Sequence, residues 1–78
     1  MRTLDTIPHP HLRISIMYMN EKYLLKVETG PYEQIYKFTR EMAADIDQVK
    51  KIVTPEFLEE VTAVFNKMHE NFLKRFSR

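Results

Sequence analysis

Two histidines on either side of a proline, His9-Pro10-His11, form the part of this sequence best suited to hold a metal ion. Side chains two residues apart in an extended chain point the same way, so both imidazoles could reach one ion. A zinc site also needs a third and a fourth ligand, and only His69 is available as another imidazole. The alternative is that His9 and His11 face solvent while Pro10 protects a sheet edge. We expect no metal site.

The pair His69-Glu70 begins like the zinc-binding pattern HExxH, but residue 73 is Leu. Residue 66 is Asn, so the Glu-x-x-His pair of di-iron helical bundles is also absent. His69 is therefore expected at the edge of a hydrophobic core.

Catalytic groups are scarce elsewhere in the chain. There is no cysteine, and the only serines, Ser15 and Ser77, lie in a predicted strand and at the C-terminus. The single glycine, Gly30, excludes the glycine-rich loops that hold phosphates. Carboxylates occur in two groups at predicted helix starts, where the helix dipole favours negative charge. The groups are Glu41, Asp45 and Asp47, and Glu56, Glu59 and Glu60. We expect neither enzymatic activity nor a cofactor.

Basic residues are concentrated at the C-terminus, although the whole chain has a formal charge of only +1. The last twelve residues hold four cations, Lys67, Lys74, Arg75 and Arg78, against Glu70, a local net charge of +3. A helix C-terminus favours such residues, and this number of cations neutralises few phosphates. A nucleic-acid-binding module that uses these four cations is the alternative function.

The elements that would position these residues follow from two periodicities. In the first half, large apolar or aromatic residues recur at every second position, from Leu12 to Tyr18 and from Tyr23 to Val27, as in half-buried strands. A two-residue turn at Asn20-Glu21 would pair Tyr18 with Tyr23 and Ile14 with Val27. Because Pro31 cannot donate a ladder hydrogen bond, we expect a longer loop over residues 30–33 before the next strand. The predicted strands are 11–19, 22–29 and 33–39.

That four-residue loop sets the register of the third strand. It places Val27 opposite Tyr36 and Leu25 opposite Phe38, which extends the apolar face of the hairpin.

In the second half, Asp45 and Gln48 match a capping box, and Thr54-Pro55 is a strong helix start. The predicted helices are 45–53 and 55–75. An apolar stripe with helical spacing runs along the second helix.

These elements predict a two-layer α+β fold, a three-stranded antiparallel meander followed by two helices on one sheet face (β-β-β-α-α). Residues 1–78 would form one small domain, because a chain of 78 residues of which 44% are hydrophobic can form a single core. Residues 1–9 are predicted to be irregular, since Pro8 and Pro10 disfavour a regular element.

On the sheet face away from the helices, four apolar residues form a predicted interface: Met17, Met19, Leu24 and Ile35. We therefore predict a small non-catalytic domain that acts through protein contacts, as a homodimer that uses this face or a sheet edge.

No apolar run is long enough for a secretory signal or a membrane span, and cysteine is absent. We expect a cytoplasmic protein without membrane contact. Apart from a second copy of the chain, the sequence identifies no protein partner.

Overall fold

The computed structural model describes residues 2–76, which form four strands followed by two helices. The strands make one antiparallel sheet in which each strand lies beside the next in the chain. The α+β prediction is confirmed, whereas the prediction of three strands is wrong. The elements are β1 (Arg2–Ile7), β2 (Arg13–Met19), β3 (Lys22–Thr29), β4 (Tyr32–Phe38), α1 (Ile46–Ile52) and α2 (Pro55–Phe76).

The additional strand is β1, in the segment predicted to be irregular. It pairs antiparallel with β2, and the register shifts between Thr3 and Asp5 at a bulge. A bulge inserts one residue into a strand and breaks its period of two, so the apolar residues Leu4 and Ile7 lie three apart. Pro8 follows the last residue of β1, and the strand is complete before it.

The hairpin of β2 and β3 has the predicted register, with Tyr18 opposite Tyr23 and Ile14 opposite Val27. Its turn residues, Asn20 and Glu21, both have positive φ, 52° and 61°. This is the backbone of a type I′ turn, which matches the twist of the strands it joins. Asn adopts that conformation readily, while Glu21 does so at some cost in strain.

The loop between β3 and β4 is shorter than predicted. Gly30 and Pro31 form a two-residue turn that Thr29 and Tyr32 close, and Gly30 has a φ of 55°. Gly at the first turn position is typical of a type II′ turn, and Pro31 lies outside the ladder, where its missing N–H costs nothing.

The predicted register of β4 is therefore wrong by two residues. Tyr36 faces Leu25 instead of Val27, and Phe38 faces Tyr23 instead of Leu25. Because the shift is an even number, each side chain still lies on the predicted face.

Both helices begin at the predicted caps. The Asp45 carboxylate accepts a hydrogen bond of 3.0 Å from the Gln48 backbone N–H, and Thr54 Oγ1 accepts one of 3.1 Å from Phe57. The helices pack on one sheet face. The core between the layers consists of Leu12, Ile14, Ile16, Leu25, Val27, Ala43, Val49, Val61 and Phe65.

Helix α2 runs antiparallel to β4 along the sheet. The ring centroids of Phe57 and Tyr36 are 5.4 Å apart, and those of Phe72 and Tyr32 are 6.1 Å apart. A helix of 22 residues is about 33 Å long, whereas a strand of 7 residues spans about 23 Å. The last turn of α2 therefore extends past the sheet, and Phe76 is 73% exposed. Within residues 2–76, neither helix combines the length and apolar character that crossing a bilayer requires.

Candidate protein interface

The histidines near the N-terminus close the connection between β1 and β2. His9 Nδ1 accepts hydrogen bonds of 3.1 Å from the backbone N–H groups of His11 and Leu12. That nitrogen lone pair is occupied, which leaves only Nε2 of His9 for another contact. Across the described part of the chain, residues 2–76, no three His, Cys, Asp or Glu side chains are grouped to hold a metal ion.

His69 lies on α2 and contacts β4. Its Nδ1 is 3.0 Å from the Tyr32 hydroxyl, and the two rings meet edge to face with centroids 5.9 Å apart. Tyr32 itself packs against the hydrophobic core. His69 therefore links the exposed side of α2 to the end of β4.

Three of the four cations predicted for nucleic-acid contact lie on α2 within the described residues. Lys67 pairs with Glu70 at 3.7 Å, and Lys74 and Arg75 lie in the last turn of α2. That turn also carries exposed apolar residues, Phe72, Leu73 and Phe76. Arg78 lies outside the described residues.

A shallow open groove of about 510 Å³ lies beside the first turns of α2. It is lined by His9, Pro55, Leu58, Glu59 and Thr62. Its titratable side chains are His9, whose Nδ1 already accepts hydrogen bonds from the backbone, and Glu59.

The four residues predicted for the helix-free face differ in exposure. Met17 and Leu24 are opposite each other, as predicted, but are only 5% and 3% exposed. Met19 is half-buried, and Ile35 is 46% exposed. Leu24 lines a small pocket together with Met19, Lys22 and Lys37, and its cross-strand neighbours are Met17 and Lys37. Long lysine side chains can cover apolar neighbours with their methylene groups. Of these four residues, Ile35 is therefore the most exposed.

Charged residues surround Ile35 on the same face. Lys26, directly opposite Ile35, has its Nζ 3.4 Å from carboxylate oxygens of both Glu28 and Glu33. The charge of Glu28, followed by the hydrogen bond to Glu33, raises the pKa of Lys26. Ile35 is thus an apolar residue within a polar, ion-paired surface.

The two edges of the sheet differ in regularity. At the β1 edge the bulge interrupts the strand, and Asp5 forms an ion pair with Lys50 of α1. The hydrogen bond from Lys50, and next the one from the Thr6 backbone, hold the pKa of Asp5 below its usual value. A bulge and an ion-paired carboxylate are features that protect an edge from further strand pairing.

The β4 edge is regular along its whole length, from Tyr32 opposite Thr29 to Phe38 opposite Tyr23. In an antiparallel hairpin with a two-residue turn, the closing pair is hydrogen-bonded, and hydrogen-bonded pairs then alternate with non-bonded pairs. The backbone groups of Tyr32, Gln34, Tyr36 and Phe38 therefore bond to β3. Those of Glu33, Ile35 and Lys37 point out of the open edge.

Glu33 and Lys37 are the residues of this edge that our sequence prediction missed. Both are exposed, and each is two residues from Ile35. Their symmetric positions about Ile35 are visible in the sequence. That β4 is an edge strand, with β3 on one side, is visible only in the structure. No protein-family model, curated protein or solved structure matches this chain.

Proposed function

We propose that this chain is a small non-catalytic domain that acts through protein contacts and binds a second copy of itself as a twofold dimer. The observation that carries the proposal is the β4 edge, which is regular and presents Ile35, 46% exposed, at its centre. An edge strand offers a row of unpaired N–H and C=O groups, and another strand can satisfy them.

The small size of the domain supports the same function. A chain of 78 residues buries a limited share of its surface on folding, so an interface adds substantially to its stability. The twofold dimer is the commonest symmetric assembly, and it requires no component other than this chain.

Light scattering coupled to size-exclusion chromatography tests the proposal at protein concentrations from roughly 1 to 300 μM. We expect a mass that rises with concentration towards twice the 9.4 kDa of one chain. A constant monomer mass over that range would contradict the proposal.

A variant pair locates the interface. Ile35→Pro removes a backbone N–H that points to the open edge and not to β3, and such a site tolerates proline. We expect this variant to remain folded, by circular dichroism, and to be monomeric. The matched control, Ile35→Val, keeps the N–H group and a β-branched side chain, and we expect it to dimerise. A folded Ile35→Pro variant that dimerises as well as Ile35→Val would exclude the β4 edge.

A further inference from the structure

We infer that two copies of β4 pair antiparallel about a twofold axis at Ile35 and join their sheets into one sheet of eight strands. Each Glu33 then faces the partner's Lys37, and each Lys37 faces the partner's Glu33. This inference rests on the proposed self-association and specifies the partner surface as β4 of a second copy.

The backbone restricts the possible registers. Only Glu33, Ile35 and Lys37 direct their N–H and C=O groups out of the edge. When two copies pair antiparallel, each of these residues must lie opposite one of the same three residues in the partner, because the two residues of a hydrogen-bonded pair exchange their N–H and C=O bonds with each other. Each permitted register therefore differs from the next by two residues in one strand relative to the other.

Charge selects one of these registers. With Ile35 opposite the partner's Ile35, the two exposed apolar side chains meet and two Glu–Lys pairs flank them. A shift of two residues places Ile35 opposite a charged residue. A shift of four places Glu33 opposite the partner's Glu33, or Lys37 opposite the partner's Lys37. Opposite charges across a strand pair stabilise it and like charges destabilise it, so the twofold register is favoured.

The side chains on the helix-covered face agree with this register. It places Gln34 opposite the partner's Tyr36, and Tyr32 opposite the partner's Phe38. All four are partly exposed in the single chain. Within the chain, the Tyr36 hydroxyl donates to Gln34 Oε1, and Gln34 Nε2 donates to the Val61 carbonyl at 3.0 Å. These bonds order the two polar side chains before pairing.

The contact between Glu33 and Lys26 within one chain is compatible with the pairing. The Glu33 side chain is 52% exposed although one of its oxygens lies 3.4 Å from Lys26 Nζ. A carboxylate has about four lone-pair sites on two oxygens, so it can accept from a second cation. Glu33 can therefore contact Lys26 and the partner's Lys37 together.

The protected β1 edge makes the assembly a closed dimer. Pairing of β4 with β1 of another copy is a head-to-tail contact, which repeats to form a ring or an open filament and does not stop at two copies. The bulge between Thr3 and Asp5 and the Asp5–Lys50 ion pair oppose such a contact. Pairing of β4 with itself uses one edge of each copy and stops at two.

Complementary charge reversals test the register. In the inferred register each dimer holds two pairs between position 33 of one copy and position 37 of the other. In the Glu33→Lys homodimer both pairs consist of two lysines. In the Lys37→Glu homodimer both pairs consist of two glutamates. We expect each variant alone to dimerise at least about tenfold more weakly than wild type. In an equimolar mixture, the heterodimer has opposite charges at both pairs, so its dissociation constant should return to within about threefold of wild type.

The double variant Glu33→Lys/Lys37→Glu is the matched control for folding. Like the single variant Glu33→Lys, it carries a lysine beside Lys26, but its homodimer again has opposite charges at both pairs. We expect the double variant to dimerise like wild type. Circular dichroism of all three variants checks that each is folded.

The possible failures can be distinguished. If wild type dimerises but neither the mixture nor the double variant recovers affinity, the inferred register is refuted and self-association stands. If wild type stays monomeric over the concentrations tested, the proposed function and the register are both refuted.

Discussion

The burial of Leu24 on the helix-free face of the sheet leads to a specific stability prediction. A leucine on a sheet face without a covering layer usually contributes little, yet Leu24 is only 3% exposed. Truncation of a buried leucine to alanine costs about 2–5 kcal/mol, and the cost depends on how far the surroundings close the cavity. Flexible lysine side chains, Lys22 and Lys37, line this site and can collapse into the space. We therefore expect Leu24→Ala to lower the free energy of unfolding by about 2 kcal/mol.

The measurement is urea unfolding monitored by circular dichroism, at a concentration low enough to keep the chain monomeric. Leu25→Ala is the comparison, because the adjacent Leu25 is fully buried between sheet and helices, and its loss should cost about 4 kcal/mol. Ile35→Ala, at the exposed position of the same face as Leu24, should cost less than about 0.5 kcal/mol in the monomer. A Leu24→Ala effect no larger than that of Ile35→Ala would show that lysine side chains do not bury this face.

Two further predictions concern charged groups. The depressed pKa of Asp5 means that its ion pair with Lys50 stabilises the fold at neutral pH, and that this contribution is lost as the pH falls through the folded-state pKa. Asp5→Asn should therefore unfold at a lower temperature than wild type above about pH 4, with the difference disappearing towards about pH 2. Equal melting temperatures at pH 7 would contradict this reasoning. For the alternative function, nucleic-acid binding measured by fluorescence anisotropy should be weak and should disappear at about 200 mM salt, because Lys74 and Arg75 neutralise few phosphates. Binding that persists at that salt concentration and weakens in Lys74→Glu would support the alternative.

The elements that the sequence predicts correctly are those whose signals are local. The β2–β3 hairpin follows from alternation on both sides of Asn20-Glu21, and its register agrees residue by residue. The helices follow from caps at Asp45 and Thr54 that act on backbone groups three residues away.

The incorrect predictions, the β3–β4 loop and the irregular N-terminal segment, lie where strand pairing outweighed a rule about single residues. Pro31 disfavours a ladder position, but in the β3–β4 hairpin it occupies the turn itself, where no ladder bond is needed. In β1 a bulge removes the alternation by which strands are recognised, so that strand is held by its pairing with β2 and not by its own pattern.

The fold class, the central hairpin and both helix starts could be predicted from the sequence, and so could the face on which each β2 and β3 side chain lies. These features depend on periodicity and on contacts between near neighbours. Which strands lie at the edges of the sheet, and how deeply Met17 and Leu24 are buried, could be seen only in the folded structure. Those properties depend on residues far apart in the chain. Glu33 and Lys37 are placed symmetrically about Ile35 in the sequence. This symmetry can matter for strand pairing because β4 has a neighbouring strand on one side and an open edge on the other.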